Sequence, residues 1–469
     1  MEGQRQRLPR GSAPVLTRIT AAAAVSAYAA TFAWAYGAHV APYYAFWGLD
    51  SRAIPSPFLA LSVMLAVAPA LWLPRGIGRP SLLLFLVQYL VLFVPGCFVL
   101  YQTSAPVLAP AASARLLLAM FAGLTVMQAF YLLPTVALPR PAIPPRAYTA
   151  LFSSLTAGLM LYVLSQYGSN FAITDFRGIY AVRQALAERM GGGPVLAGQY
   201  AIMWLSGFCL PAAMAFGLQT RRLPLLIAAA AGYVALYGIA GNKLTLLAIV
   251  FIPALHCWAR WAARAAVPAF AAGITLLLAA PAALPALRLE PLGRWFVAVV
   301  HQRIFSIPSL LIAQYHGFFE GHPLTYFSHI RGIHLVVPFP FGMDLSRTVG
   351  LHYYGELVGS NANFWAGDGL AGFGMPGVIL MSLACGLLFW AFDSVARGLK
   401  PGFVMAAAGF AAASFANIPL PTLVLSGGFG LLLLALWLLP REGMYASLWQ
   451  TAAAGDPPLA HGNAGRGQR

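Results

Sequence analysis

Apolar runs of about 20 residues, separated by short polar segments, fill most of this sequence. A helix of that length crosses the hydrocarbon core of a bilayer, and it bonds its own backbone N–H and C=O groups where no water can do so. Hydrophobic residues make up 60% of the 469 positions and charged residues only 9%. A soluble domain could not bury that much apolar surface. The sequence therefore predicts an all-α polytopic integral membrane protein.

The apolar runs predict about twelve transmembrane helices, which form a single transmembrane domain over residues 1–445. The predicted spans are 16–38, 57–73, 81–101, 113–138, 149–167, 197–218, 223–240, 244–258, 267–284, 370–392, 403–418 and 422–440. Residues 446–469 are rich in Ala, Gly and Pro and are expected to form a disordered cytoplasmic tail.

The positions of the cations predict how the chain is oriented in the membrane. Seventeen of the 28 lysines and arginines fall in the termini and short loops on the side of the N-terminus. Short cytoplasmic loops are enriched in Lys and Arg, so both termini are predicted to be cytoplasmic. The net charge of +16 is spread thinly between apolar runs, so it indicates membrane orientation and no nucleic-acid partner is expected.

Two outer segments, about 168–196 and 285–369, are too long to be simple connectors. The second contains six of the nine histidines and five of the twelve acidic residues. Long ordered loops in compact proteins usually carry function. Within the second loop, the apolar stretch around Arg303 could be taken for a thirteenth span. A buried arginine would cost about 2.5–3.5 kcal/mol there, so an interfacial or re-entrant helix, kinked at Pro308, is expected instead.

The stretch GSNANFWAGDGLAGFGMPG, residues 359–377, precedes an apolar run. Asp368 is expected to be the N-cap of the helix that follows, and the glycines are expected to allow close helix packing. Asn361 and Asn363 beside Trp365 could hold sugar hydroxyls and the apolar face of a sugar ring. Simple turn formation by the two asparagines is the alternative.

Other polar features of the outer segments also point to a ligand. Asp175, Tyr180 and Arg183 lie near one another in the first long loop, although taken by itself this segment is better explained as an ordinary amphipathic surface helix. Lys243 follows a Gly–Asn turn between two spans, where it could meet lipid headgroups or a phosphate. The excess of cations on this outer side favours an anionic substrate. No metal or cofactor is expected, because the histidines lack metal-ligand spacing.

Four of these elements occur in the order found in one family. The stretch SNANFWAGDGLAGFGMPGVIL resembles that of bacterial Wzy-type oligosaccharide repeat-unit polymerases, which build O-antigen and capsular polysaccharides. The Asp175–Tyr180–Arg183 element, the GNKLTLL turn and the RIFSIPSLLIAQY segment are similar to further elements of that family. The resemblance covers roughly residues 165–392. One departure is Gly367, which stands where family members often have alanine before the Asp–Gly pair.

The resemblance implies a GT-C-like fold and a metal-independent reaction in the bacterial inner membrane. The growing chain would pass from its undecaprenyl pyrophosphate onto a second polyprenyl-pyrophosphate-linked oligosaccharide on the periplasmic side, for surface or lipopolysaccharide biosynthesis. A flippase and a chain-length regulator would be partners. The cationic residues would bind the donor pyrophosphate, and an acidic residue or histidine would take the proton of the acceptor hydroxyl.

The candidate residues for these roles fall into three sets. Those for the donor pyrophosphate are Tyr180, Arg183, Lys243, Arg303 and Arg331, with Arg347 as a further cation. Those for the base are His352, Glu356, Asp368 and His329. Those for sugar binding are Asn361, Asn363 and Trp365.

Two other functions remain open. An O-antigen ligase-like enzyme would use the same donor with a different acceptor. A lipid-linked oligosaccharide transporter or flippase would be expected to carry ionisable residues through its spans. In this sequence those residues collect in the outer loops, which favours chemistry at the membrane surface.

Overall fold

The computed structural model describes residues 12–74, 76–174, 178–191, 195–262, 264–283, 290–330, 332–360 and 364–450. These residues form helices and connecting segments, and their only β-pairings are two isolated bridges. The helices in chain order are α1 (Thr17–Trp47), α2 (Ser56–Leu71), α3 (Leu82–Val99), α4 (Pro110–Leu132), α5 (Pro145–Asn170), α6 (Ile179–Gly191), α7 (Ala197–Thr220), α8 (Leu223–Ala240), α9 (Lys243–Trp261), α10 (Ala266–Ala283), α11 (Leu292–Gly321), α12 (Leu345–Tyr354), α13 (Phe364–Val395), α14 (Pro401–Ala407), α15 (Gly409–Ser414), α16 (Leu420–Leu425) and α17 (Phe429–Leu438).

Nine helices of the described chain are long and apolar enough to cross a membrane: α1, α3, α4, α5, α7, α8, α9, α11 and α13. The apolar helices α2, α10 and α17 are shorter. The polytopic, all-helical class predicted from the sequence is therefore confirmed. The last two predicted spans, 403–418 and 422–440, each fall on two short helices instead of one continuous helix.

Loops that carry many of the cations meet at one end of the helix bundle, called the basic end below. The Arg140 guanidinium donates to the carbonyl oxygen of Val395, and the backbone N–H of Lys400 donates to Leu448 O at 2.9 Å. The side chain of Arg79 lies 3.9 Å from Asp393. The short loops that the charge rule assigned to one side therefore do gather in space.

The segments predicted to face outward meet at the opposite end, called the distal end. Gln314 in α11 donates to Ala105 O at 3.2 Å, and Asp50 N donates to Gln102 O at 3.0 Å. Ala172 N, from the first long loop, donates to Gly238 O in the last turn of α8 at 3.0 Å. The two long loops of the sequence therefore lie together on one end of the bundle.

Helix α11 carries Arg303 and is long enough to span a bilayer, and two of its residues contact segments of the distal end. Near its start, the ring of His301 lies 5.8 Å from that of His39, in the distal half of α1. Near its end, Gln314 bonds to the loop after α3. The interfacial or re-entrant helix stays a prediction, because α11 is also among the helices long and apolar enough to cross a membrane. The helix widens to a π-helix from Val297 to Ser306, directly before Pro308, which has no N–H to bond to the preceding turn.

The C-terminal end of the domain differs from the prediction. Residues Gly443–Leu448 form a 3₁₀ helix, and the guanidinium groups of Arg140 and Arg441 lie 4.7 and 5.0 Å from the centre of the Trp449 ring. The boundary predicted at residue 446 is therefore wrong, because contacts of an aromatic ring with two cations anchor the chain there. Residues 451–469 of the predicted tail lie outside the described residues.

Candidate functional site

Three cations predicted to bind pyrophosphate come together at the distal end. Lys243 lies within electrostatic range of both Arg183 and Arg303, and Arg303 lies within range of Arg183 and Tyr180. These residues come from three separate helices, α6, α9 and α11. Three like charges brought together attract an anion and disfavour a neutral ligand.

The turn between α8 and α9 fixes two members of this group. Gly241 adopts φ 60°, which suits glycine, and a Cβ there would lie 3.1 Å from the Arg183 side chain. Asn242 then caps α9 by accepting a hydrogen bond from Leu244 N at 3.0 Å. Arg183 Nε donates to Gly241 O at 2.9 Å. The predicted tight turn thus places Lys243 at the first position of α9, next to Arg183.

The open side of this cation group is formed by exposed side chains. Tyr180 is 66% exposed, and its ring lies 5.8 Å from the Arg183 guanidinium. Arg303 is also exposed, yet protein surrounds it closely enough to remove part of its water. The Arg303 side chain is therefore both accessible and partly desolvated, and a partly desolvated cation holds an anion more strongly than a fully hydrated one.

The pair His329 and Asp368 forms a second polar group, in the loop after α11 and in α13. His329 Nε2 lies 3.4 Å from Asp368 Oδ1, and Leu420 N donates to Asp368 Oδ2 at 3.3 Å. His329 Nδ1 lies 2.7 Å from Thr325 Oγ1. Asp368 is fully buried, so it can remain ionised only with such partners.

His329 is the member of this pair that a ligand can reach. It lines a cavity of about 310 Å³ together with Tyr200, Pro419 and Ser426, among others. Thr325 is fully buried, so its hydroxyl can hydrogen-bond the imidazole but cannot contact a substrate. The cavity therefore presents an imidazole backed by a buried carboxylate, which is an arrangement suited to moving a proton.

The two polar groups are connected through the packing of the helices. Helix α9, which begins at Lys243, packs against α15, and the chain runs from α15 to Leu420, the donor to Asp368. Helix α11, which carries Arg303, packs against α13, which carries Asp368. The helices that carry the cation group and those beside the His329 cavity thus belong to one packed bundle.

The predicted helix cap at Asp368 is wrong. Helix α13 begins at Phe364, and Asp368 lies within its first turns. The helix then reverses at Gly374, with φ 65° and ψ −144°, so that its first part folds back on the remainder. A Cβ on Gly377 would lie 2.0 Å from the Gly369 carbonyl oxygen. The glycines therefore permit close packing, as predicted, but within a hairpin of one helix.

Several other predicted site residues lie apart from these groups. His352 and Glu356 are exposed, and the ring of His352 contacts Phe318 and His322 instead of Asp368. In the same cluster, burial and then Glu320 raise the pKa of the neighbouring Tyr353 to about 12.

Trp365 is fully buried, so its ring does not face an open sugar cleft. Arg347 is exposed and pairs with Asp344 at 3.3 Å. Four predicted residues, Asp175, Arg331, Asn361 and Asn363, lie outside the described residues.

Sequence reasoning missed the hydrogen-bond partners that hold these groups in place. Thr325 and the backbone N–H of Leu420 are not visible as site residues in a sequence, since neither has a distinctive motif. A group of three or more His, Cys, Asp or Glu side chains that could hold a metal ion does not occur in the described part of the chain.

Comparisons of the chain with protein-family models, with curated proteins and with solved structures find no match. The resemblance to oligosaccharide polymerases therefore rests on the sequence motifs alone.

Proposed function

We propose that this protein is a membrane glycosyltransferase that polymerises polyprenyl-pyrophosphate-linked oligosaccharide repeat units, without a metal ion, at the distal end of its helix bundle. The observation that carries the proposal is the gathering of Arg183, Lys243 and Arg303 from three helices. A transmembrane core of about twelve helices with a GT-C-like arrangement, in a bacterial inner membrane with both termini cytoplasmic, belongs to the same proposal.

The cation group is proposed to bind the donor pyrophosphate. Guanidinium groups form paired hydrogen bonds with phosphate oxygens, and the lysine adds a compact charge. As the sugar–oxygen bond breaks, negative charge builds up on the leaving pyrophosphate, and fixed cations stabilise that charge in the transition state. In other transferases a metal ion stabilises this negative charge. Here the three cationic side chains would do so.

His329 is proposed to take the proton of the acceptor. The acceptor hydroxyl oxygen attacks the anomeric carbon of the donor sugar, and the electron pair of the broken bond leaves with the pyrophosphate. The hydroxyl proton passes to the imidazole of His329, which lines the cavity. In the resulting imidazolium Nδ1–H donates to Thr325 Oγ1, whose own hydrogen then goes to Ala371 O at 2.9 Å. Asp368 then stabilises the imidazolium through Nε2.

Of the four residues that the sequence offered as the base, the structure favours the pair His329 and Asp368. His352 and Glu356 lie in a separate, exposed part of the second long loop, whereas His329 and Asp368 contact each other beside a cavity. The proposed donor and acceptor are both polyprenyl-linked, so both would approach this region from the bilayer, with their sugars in water.

Two alternatives use the same residues differently. A ligase would join the same donor to another acceptor. A transporter would move the intact lipid-linked oligosaccharide and break no glycosidic bond. A transporter would not need a cavity with a histidine backed by a carboxylate, and this pair favours a transferase.

The test is glycan extension by the full-length protein in nanodiscs. Polyprenyl-pyrophosphate repeat units are supplied with EDTA, and a ladder of longer glycans is expected. Arg303→Gln should abolish the ladder, while Arg347→Gln should retain it as a matched control, since Arg347 is an exposed distal arginine already paired with Asp344. Transfer only to another added acceptor would indicate a ligase. Absence of any transfer by the wild-type protein, with competent substrate, would refute the proposal.

A further inference from the structure

A second cationic site lies at the basic end, far from the proposed catalytic groups. It is a cavity of about 500 Å³ between the loops that follow α2, α4, α13 and α17. Its lining includes four arginines, Arg79, Arg140, Arg397 and Arg441. The proposed glycosyl transfer does not use this cavity.

The cavity has a clear excess of positive charge. Asp393 is the only carboxylate among the residues that line the cavity, and its oxygens already accept hydrogen bonds from the protein. Asp393 accepts hydrogen bonds from Ser81 N at 2.9 Å and Ser81 Oγ at 2.7 Å, and it lies 3.9 Å from Arg79. At most one of the four arginine charges is therefore neutralised within the cavity wall.

Two of the arginines are held close together although their charges repel. Arg140 and Arg441 both lie against the Trp449 ring. Burial and then the charge of Arg441 lower the pKa of Arg140. An anion bound close to both guanidinium groups would relieve this repulsion.

Donor groups remain available for such an anion. Arg397 and Arg441 are exposed, and Arg397 uses one nitrogen on Thr135 O at 3.4 Å. A guanidinium group carries five N–H donors in a planar fork that matches phosphate oxygens. Arg140, in contrast, is fixed by the carbonyl oxygens of two helix ends, so it supplies a rigid wall.

The rim of the cavity is apolar. Leu138 is part of the lining and is exposed, and Val136 and Leu132 on the same segment are 43% and 86% exposed. An ionic cavity beside exposed aliphatic side chains at the end of membrane helices matches a molecule with an anionic head and an apolar tail.

We infer that this cavity binds the phosphate headgroup of an anionic membrane lipid. The exposed arginines Arg397 and Arg441 bond the phosphate oxygens, Arg140 and Arg79 form the fixed cationic wall, and the acyl chains lie along the exposed Leu132–Leu138 segment. A soluble phosphate compound shares the headgroup chemistry but would make no use of the apolar rim.

The test compares lipid binding by full-length protein in detergent, using native mass spectrometry and titration. Phosphatidylglycerol is the anionic lipid, phosphatidylcholine the zwitterionic control, and glycerol 3-phosphate the soluble control. The double variant Arg397→Gln/Arg441→Gln removes the two exposed arginines of the cavity. The variant Arg222→Gln/Arg264→Gln removes the same charge at the basic end from residues outside the cavity lining.

We expect phosphatidylglycerol to bind the wild-type protein in preference to phosphatidylcholine, and the Arg397/Arg441 variant to lose at least about tenfold in affinity. The Arg222/Arg264 variant should bind as the wild type does. Equal losses in both variants, or no preference for the anionic lipid, would overturn the inference. Glycerol 3-phosphate binding as tightly as the lipid would retain the phosphate site but assign it to a soluble ligand.

Discussion

The two ends of the helix bundle both gather cations, but they fix them differently. At the basic end, Arg140 donates to the carbonyl oxygens of Leu436 and Val395, which end two helices. At the distal end, Arg183 donates to Gly241 O, and the Arg303 side chain makes no hydrogen bond to a described residue. The carbonyl groups that end a helix lack partners within it, so Arg140 completes the fold at the basic end.

This difference separates the cations that stabilise the fold from the cations that are available to bind a ligand. A cation saturated by backbone carbonyls contributes mainly to stability. A partly desolvated cation with few internal partners costs free energy until an anion binds. The distal arginines are therefore expected to affect turnover, and the innermost charges of the basic end are expected to affect folding.

The largest expected effect is on stability at the basic end. Asp393→Ala removes the acceptor of two Ser81 hydrogen bonds and leaves Arg79 without its carboxylate. We expect a loss of about 3 kcal/mol in the free energy of unfolding, as for other broken buried pairs. Thermal unfolding in detergent measures it. Glu442→Ala, at an exposed acid of the same end, should change little, and equal destabilisation by both variants would contradict the assigned role.

The next effect concerns turnover at the distal end. Arg303→Gln should lower the rate of glycan extension by roughly 100-fold or more, because a donor to the developing pyrophosphate charge is lost. The unfolding temperature should remain close to that of the wild type, since Arg303 is exposed. A matching fall in stability and rate would show that this arginine, like those at the basic end, is structural.

A third prediction separates the proton acceptor from its support. His329→Gln should lower turnover by roughly 100-fold, a typical contribution of general base catalysis, and should flatten its pH dependence. Extension rates measured against pH test this, with His352→Gln as the control, since His352 lies in a separate exposed cluster. If the His352 variant instead loses the activity, the base belongs to that cluster.

The smallest effect is expected at an exposed ion pair of the distal end. Arg347→Gln breaks a contact with Asp344 in which both side chains are more than half exposed. Such pairs contribute about 0–1 kcal/mol, so neither stability nor turnover should change measurably. A large loss of turnover would extend the proposed donor site to Arg347.

Local patterns in the sequence were sufficient for the helices and for one turn. The Gly241–Asn242 turn was predictable because a glycine that accepts positive φ and an asparagine that caps a helix act on neighbouring residues. The prediction for Asp368 failed because Asp–Gly before an apolar run looks like a helix start. The hairpin at Gly374, which places Asp368 inside the fold, depends on packing that no local pattern reports.

The sequence alone determined that this chain is a helical membrane protein, where its long loops lie, and which cations were candidates for an anionic ligand. Hydrophobicity and helix length act locally, so they can be read along the chain. Only the tertiary structure decided that Asp368 meets His329, that Asp393 meets Ser81 across 312 positions, and that four arginines line one cavity. Those contacts join distant segments, and the packing of whole helices selects them.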